Sequence, residues 1–274
     1  MLGPGVSITH AAVSVLADHG CLVAWCGEEG VRFYAVGMGE TRSASNLLHQ
    51  AAMWAAAGQR MQVVRNLYQL RFPGKLDPAL TLQQIRGMEG VRVRDAYAKA
   101  SRETGVSWSG RSYRRDDWGS SDPVNRALST ANSCLYGICH AAIVSAGFSP
   151  ALGFIHTGKM LSFVYDVADI YKMEITVPVA FQTAAEGMQG LERRVRLLCR
   201  DLFVKTKLLE RIIPDIQTAL AVPAKGQAGS VDAFDREAAL PGALWDPVEG
   251  KVEGGQMYLQ EGDKTTDRDG NTDS

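Results

Sequence analysis

From about residue 43 onward, apolar positions recur at helical spacing, with breaks at Pro73-Gly74, Gly105 to Ser121, Gly147 to Pro150 and Glu186 to Gly190. Pro223 closes this body. Ahead of it, residues 7–18 read as a helix. Cys21-Leu-Val-Ala-Trp-Cys26 and Val31-Arg-Phe-Tyr-Ala-Val36 then read as two strands joined by Gly27-Glu-Glu-Gly30, a hairpin. Beyond Pro223, Gly, Ser, Asp and Thr dominate, and disorder is expected after about residue 260. The pattern predicts an α+β chain that is mainly α. A small β-containing domain (1–40) precedes a large all-helical domain (41–222) and an acidic, largely disordered tail (223–274).

Composition excludes some classes. A chain of 274 residues has room for two domains and a sizeable core. No apolar run reaches the length of about 18 residues that a membrane helix needs, and the N-terminus lacks a charged region followed by an apolar one. A cytoplasmic location and no membrane partner are therefore expected. The five cysteines (21, 26, 134, 139 and 199) include no CxxC pair and sit in apolar surroundings, which reads as reduced, buried thiols.

The net charge of −1 hides a segregation. Residues 226–274 hold 11 acidic and 4 basic side chains out of 30 and 29 in the whole chain, which leaves 19 acidic and 25 basic before them. The folded part is basic, which is compatible with a polyanionic partner. Arg111, Arg114 and Arg115 cluster in one loop, and Arg193, Arg194, Arg196 and Arg200 on one helix. Solvated faces have the same composition.

The chemistry concentrates in Gly153-Phe-Ile-His-Thr-Gly-Lys159 and Ser162-Phe-Val-Tyr-Asp-Val-Ala-Asp169. On a helix, Asp166 and Asp169 share a face with Phe163, Ile170 and Met173. Carboxylates on a core-facing stripe are costly without a cationic partner, and His156 is a suitable third ligand for a divalent metal. The competing reading makes the aspartates the solvated edge of an ordinary helix. Residues 80–103 supply a second anomaly. Glu89 interrupts the stripe Leu82, Ile85, Val93, Ala96 and Ala100, with arginines at 86, 92 and 94 around it. It is either a third metal ligand or half of a buried Glu–Arg pair. A mixed N/O donor set of Glu89, His156 and Asp169 suits Mg²⁺ or Mn²⁺ and is a poor structural zinc site.

Arg86-Gly-Met-Glu-Gly-Val-Arg-Val-Arg94, Ser133-Cys-Leu-Tyr-Gly137 and the block from His156 to Lys172 resemble the CRISPR-associated integrase of spacer acquisition, most closely the form of type I, subtype E systems. Gly30-Val-Arg-Phe-Tyr34, Val63-Val-Arg65, Leu70-Arg-Phe72 and Gly110-Arg-Ser-Tyr113 with Trp118 extend the likeness from about His10 to about Arg211. The resemblance implies a metal-dependent DNA integrase and endonuclease of antiviral defence. In it a DNA 3′-hydroxyl attacks a phosphodiester of the CRISPR repeat. It implies Glu89, His156 and Asp169 as metal ligands and Asp166 as a supporting catalytic acid, which accepts a proton or holds a second metal. Arg32, Arg86, Tyr136 and Tyr165 match positions near DNA or the active site, although core packing explains Tyr136 equally well. Lys159, in the turn after His156, is the candidate cation for the scissile phosphate. Tyr113 and Trp118 flank the basic loop, where their rings either stack on splayed bases or pin the loop to the body.

The resemblance also implies partners: double-stranded spacer and repeat DNA, a homodimer, and a small ferredoxin-like CRISPR-associated dimer bridging two such dimers. A lone hairpin is marginal in water, and the family's N-terminal β-domain has about fifty further residues upstream of this start. The expectation is a truncated head with an unpaired apolar edge. A rival reading is therefore a catalytically impaired DNA-binding or scaffold remnant of the same family.

Overall fold

The computed structural model describes residues 1–19, 21–27, 33–37, 44–111, 122–222, 244–248 and 250–252. Arg32, Tyr113 and Trp118 lie outside these residues. Residues 1–228 form one compact unit and residues 229–274 a second.

The first unit begins with α1 (His10–Asp18), capped by the Thr9 hydroxyl, which accepts from the Ala12 amide at 3.2 Å. An antiparallel hairpin follows, β1 (Val23–Cys26) and β2 (Phe33–Gly37). The edge of β1 is not wholly bare. Leu2 bridges it in parallel, its amide donating to Ala24 O at 2.7 Å while Cys26 N donates to Leu2 O at 2.8 Å. This corrects the expectation of an unpaired edge, because the extended chain start supplies donors and acceptors that the periodicity did not reveal.

The helical body comprises α2 (Ser45–Ala55), α3 (Ala57–Gln69), α4 (Leu82–Thr104), α5 (Pro123–Ser145), α6 (Ser162–Tyr171), α7 (Thr176–Ala185), α8 (Leu191–Lys205) and α9 (Leu208–Ala219). The fold is thus mainly α with a small β part ahead of it, as the spacing of apolar residues indicates. Helix α4 starts on a capping box between Thr81 and Gln84 and stops at Gly105, whose φ of 71° ends the helix without a Cβ clash. Helix α5 starts with Asp122 as N-cap and Pro123 in the first turn. It is the axis of the core: Leu128, Ala131, Leu135, Cys139 and Ile143 are buried, and α6, α7, α8, α9 and β2 pack around it. By length and composition α5 is apolar enough to span a bilayer, and here its residues fill the centre of the helical body.

Two sets of polar contacts fix the remaining helices. Tyr171 donates to Asp215 at 2.5 Å, tying the end of α6 to α9. Burial, reinforced by Asp215, raises the Tyr171 hydroxyl far above its ordinary pKa. Arg126 of α5 pairs with Glu192 of α8. Arg194, one of the four arginines grouped on α8 by sequence, is spent on the carbonyls of Thr183, Gly187 and Gln189 and on Glu186.

In the second unit, β3 (Leu244–Asp246) and β4 (Gly250–Val252) pair as a short antiparallel hairpin, within a stretch where composition gave no element. The disorder expected after residue 260 falls outside the described residues.

Candidate active site

The site is built around the loop between α5 and α6. Helix α5 ends in a Schellman motif: Phe148 N donates to Ile143 O and Gly147 N, at φ 78°, to Val144 O. The loop is then clamped from α2 and α3. Gln50, fully buried, donates to the carbonyls of Ser149 and Leu152 at 3.0 and 3.1 Å and accepts from Ser149 N at 2.8 Å. Trp54 Nε1 donates to Gly153 O at 3.0 Å, and Arg60 to Phe154 O at 3.3 Å.

Gly153 is required by space. A Cβ there would stand 2.4 Å from His156 O and 2.6 Å from Ser162 Cβ. Neither atom belongs to a flexible side-chain end. Gly153→Ala is therefore expected to cost about 3 kcal/mol, the upper end for overpacking a tight site. Chemical denaturation reads this directly, and a loss below about 0.5 kcal/mol would contradict the close approach.

Asp166 turns this loop into a cradle. Its carboxylate is 0% exposed and its oxygens are fully engaged. Oδ2 accepts from Phe154 N at 2.6 Å and Ile155 N at 3.1 Å. Oδ1 accepts from His156 N at 2.9 Å and faces His156 Nδ1 at 2.7 Å. A carboxylate only accepts, so the Nδ1 contact requires Nδ1–H, and in the neutral ring this places the lone pair on Nε2. His156 keeps 42% of its side chain exposed. Asp166 therefore orients His156 and has no oxygen left for a second metal or for a substrate proton.

Asp169, one turn further along α6, faces a different environment. Its Oδ2 lies 4.0 Å from His156 Nε2 and 3.5 Å from Arg71 Nη1, and its Oδ1 lies 2.6 Å from Lys172 Nζ. Across from it on α4, Glu89 receives a bidentate contact from Arg92 at 2.8 and 2.9 Å, and Arg71 Nη1 reaches it at 3.6 Å. Burial alone would lower the Lys172 pKa, but Asp169 and Tyr136 outweigh burial and hold it above the ordinary value. Tyr136 and Tyr165 pack edge to face at 5.0 Å, Tyr165 stands 5.8 Å from the His156 ring, and Lys172 lies 5.0 Å over the Tyr136 ring.

The structure thus gathers Glu89, His156, Asp166 and Asp169, with Tyr136 and Tyr165 as neighbours. Arg86 is exposed on α4. Lys159 is exposed too, and the ammonium that reaches Asp169 is that of Lys172 instead. Sequence reasoning missed Arg71, Lys172 and Gln50. The spacing of Lys172 three residues after Asp169 was a readable signal, as was an arginine between Leu70 and Phe72. Gln50 carried none.

Glu89 and Asp169 with Nε2 of His156 match a hard divalent cation in donor type. As they stand, no three His, Cys, Asp or Glu side chains among the described residues are close enough to hold one. The charge between the two acids is Arg71.

Residues 67–192 match the family model described as CRISPR associated protein Cas1. The chain is 55% identical over 257 residues to the CRISPR-associated endonuclease Cas1 2 of Thermus thermophilus, covering 94% of this chain and 78% of that one. It is 46% identical over 221 residues to the CRISPR-associated endonuclease Cas1 of Escherichia coli, covering 81% and 72%. Among solved structures, a TtCas1–DNA complex matches with a TM-score of 0.75 at 57% identity, covering 81% of this chain and 83% of that one. A casposase bound to its integration product, at 14% identity and a TM-score of 0.51 over 78% and 80% of the chains, shares the fold.

Proposed function

Because this chain belongs to the Cas1 family of CRISPR-associated proteins, we propose that it is a metal-dependent DNA integrase of spacer acquisition, closest to the type I, subtype E form. The reaction is attack of a spacer 3′-hydroxyl on a phosphodiester of the CRISPR repeat. With water as nucleophile, the same site acts as a DNA endonuclease, a phosphodiester hydrolase. Glu89, His156 and Asp169 would hold Mg²⁺ or Mn²⁺. The proposal places the protein in the cytoplasm as a homodimer, bridged by a small ferredoxin-like CRISPR-associated partner and bound to double-stranded spacer and repeat DNA.

The observation that carries this reading is His156, half exposed, with Nδ1–H fixed by buried Asp166 and Nε2 aimed towards Asp169. Its second support is electrostatic. Arg71, Arg92 and Lys172 balance Glu89, Asp166 and Asp169, so the site is close to neutral by itself. An arriving phosphodiester brings negative charge that only a further cation offsets. Held by Glu89, His156 and Asp169, a divalent ion would supply that charge, and with it polarisation of the scissile phosphate and easier deprotonation of the 3′-hydroxyl. Lys172, kept protonated by Asp169 and Tyr136, adds positive charge for the phosphoryl oxygens as they gain charge in the transition state. Asp166 holds the imidazole in one tautomer and orientation throughout. Arg86, Tyr136, Lys159 and Tyr165 are proposed to contact DNA around this centre, with Arg32, Tyr113 and Trp118 as further contacts.

The test is strand transfer of a labelled spacer duplex into a supercoiled repeat-containing plasmid, with the small partner and Mn²⁺. Covalent joining at the repeat supports the proposal. Cleavage without need of the repeat or the partner would reduce it to a general nuclease. DNA binding without any covalent product would favour the scaffold reading.

A further inference from the structure

Arg71 follows the last turn of α3, and its side chain is 3% exposed. It reaches three residues of the candidate site: Nη1 lies 3.6 Å from Glu89 and 3.5 Å from Asp169, and Nη2 donates to the Asp166 carbonyl at 3.3 Å. Its guanidinium lies 4.9 Å over the Tyr68 ring. Nε has no hydrogen-bond partner among the described residues.

Arg92 shows what a well-bonded arginine looks like at the same carboxylate, with a short bidentate fork. Arg71 makes no such fork. It stands almost equidistant from two acids on different helices, beyond hydrogen-bond length from both. A buried guanidinium with so few hydrogen bonds is a poor stabilising device. Its fixed positive charge is what the geometry uses. Without it, Glu89 and Asp169 would face one another across a half-buried gap with less to offset their repulsion.

We infer that Arg71 is a positioning residue: it is the resident counter-charge of Glu89 and Asp169, holding both in place and keeping divalent-cation affinity low until DNA phosphates join. This rests on the metal-binding reading above. A divalent ion held by the same acids would be repelled by Arg71, so removing the guanidinium is expected to lower stability in EDTA and to strengthen ion binding.

The experiment has two arms. In EDTA, thermal melting compares wild type, Arg71→Met, Glu89→Gln and the double variant. Arg71→Met is expected to melt lower, with Glu89→Gln restoring part of the loss, because one acid needs less counter-charge than two. Additive or worsened losses in the double variant overturn the inference. Should Arg71→Met fail to fold, recovery of a folded double variant supports it, and failure of that variant overturns it. In the second arm, calorimetry measures Mn²⁺ binding without DNA. Arg71→Met is expected to bind roughly tenfold or more tightly than wild type, on the scale of removing one nearby unit charge. Equal or weaker binding overturns the inference, since a merely structural arginine would not tighten the ion. If no protein binds Mn²⁺, the metal reading falls, while the EDTA arm still decides whether Arg71 is the counter-charge.

Discussion

Asp169→Ala is expected to abolish strand transfer, a loss on the order of 10³-fold or more in rate, while leaving the helical body folded. Two features separate chemistry from stability at this position. Asp169 lies off the buried face of α6, which is made by Phe163, Val164, Val167, Ala168 and Tyr171. Its partners are cations, and the nearest, Lys172, loses with it the interaction that keeps its pKa high against burial. Lys172 then becomes easier to deprotonate, and removing the carboxylate costs about 1–2 kcal/mol instead of the 3–5 of a fully buried pair. Glu89→Ala and His156→Ala should behave alike, because each removes one proposed donor and neither side chain fills the core. The check is a strand-transfer assay in Mg²⁺ or Mn²⁺ beside a thermal melt. Near-normal joining by Asp169→Ala would sink the metal assignment, and a collapsed melt would sink the claim that its role is chemical.

Much of the fold was legible because helical periodicity and breakers agree. Pro73-Gly74, Gly105, Gly147 to Pro150 and Glu186 to Gly190 are visible as breaks in the sequence, and the structure interrupts its helices at each of them. The breaks it adds are those without a signal. Ala56 separates α2 from α3 by adopting an extended ψ of 116°, and Lys207 separates α8 from α9 at a φ of 50° that non-glycine residues seldom adopt. Pro214, ordinarily a stop, is carried inside α9. Tertiary packing decides these places, and local propensity does not report it. Leu2 on the edge of β1 is similar: pairing between an extended start and a strand leaves no periodic trace.

That Glu89, His156, Asp166 and Asp169 gather in one place was legible in the sequence, and what each side chain touches was less so. A spacing of three put Asp166 and Asp169 on one helical face, yet the structure gives them opposite environments: one carboxylate 0% exposed and bound to amides, the other 19% exposed and bound to cations. Spacing fixes a relative angle on α6. Which side of that angle meets the loop from residue 153 to 156 is set by contacts nearly a hundred residues apart, through Gln50 and Trp54. The Glu–Arg alternative for Glu89 also proved true in part. Arg92 pairs with it closely, and Arg71 joins from the turn that follows α3.

Asp166 consequently invites the opposite prediction to Asp169: its replacement should damage stability as well as activity. Asp166→Ala leaves the amides of Phe154, Ile155 and His156 and the imidazole Nδ1–H without their acceptor in a buried cradle. Each orphaned donor costs about 1–3 kcal/mol, partly recovered if water enters, so a total loss of about 3–5 kcal/mol is expected. Asp166→Asn does not escape the penalty, because its amide group turns two donors towards a site that offers only donors. Both variants should free the His156 ring, and nitrogen NMR should show Nδ1–H losing its dominance over the other tautomer. Asp169→Asn is the control: it keeps the cradle, the tautomer and most of the stability, and loses the reaction. If Asp166→Ala kept wild-type stability with the His156 tautomer unchanged, the four contacts to its carboxylate would not hold the loop. The catalytic role would then return to Asp166 itself. If stability and tautomer both fall, Asp166 acts through His156, and the two aspartates of one helical turn divide the work between fixing the ligand and meeting the ion.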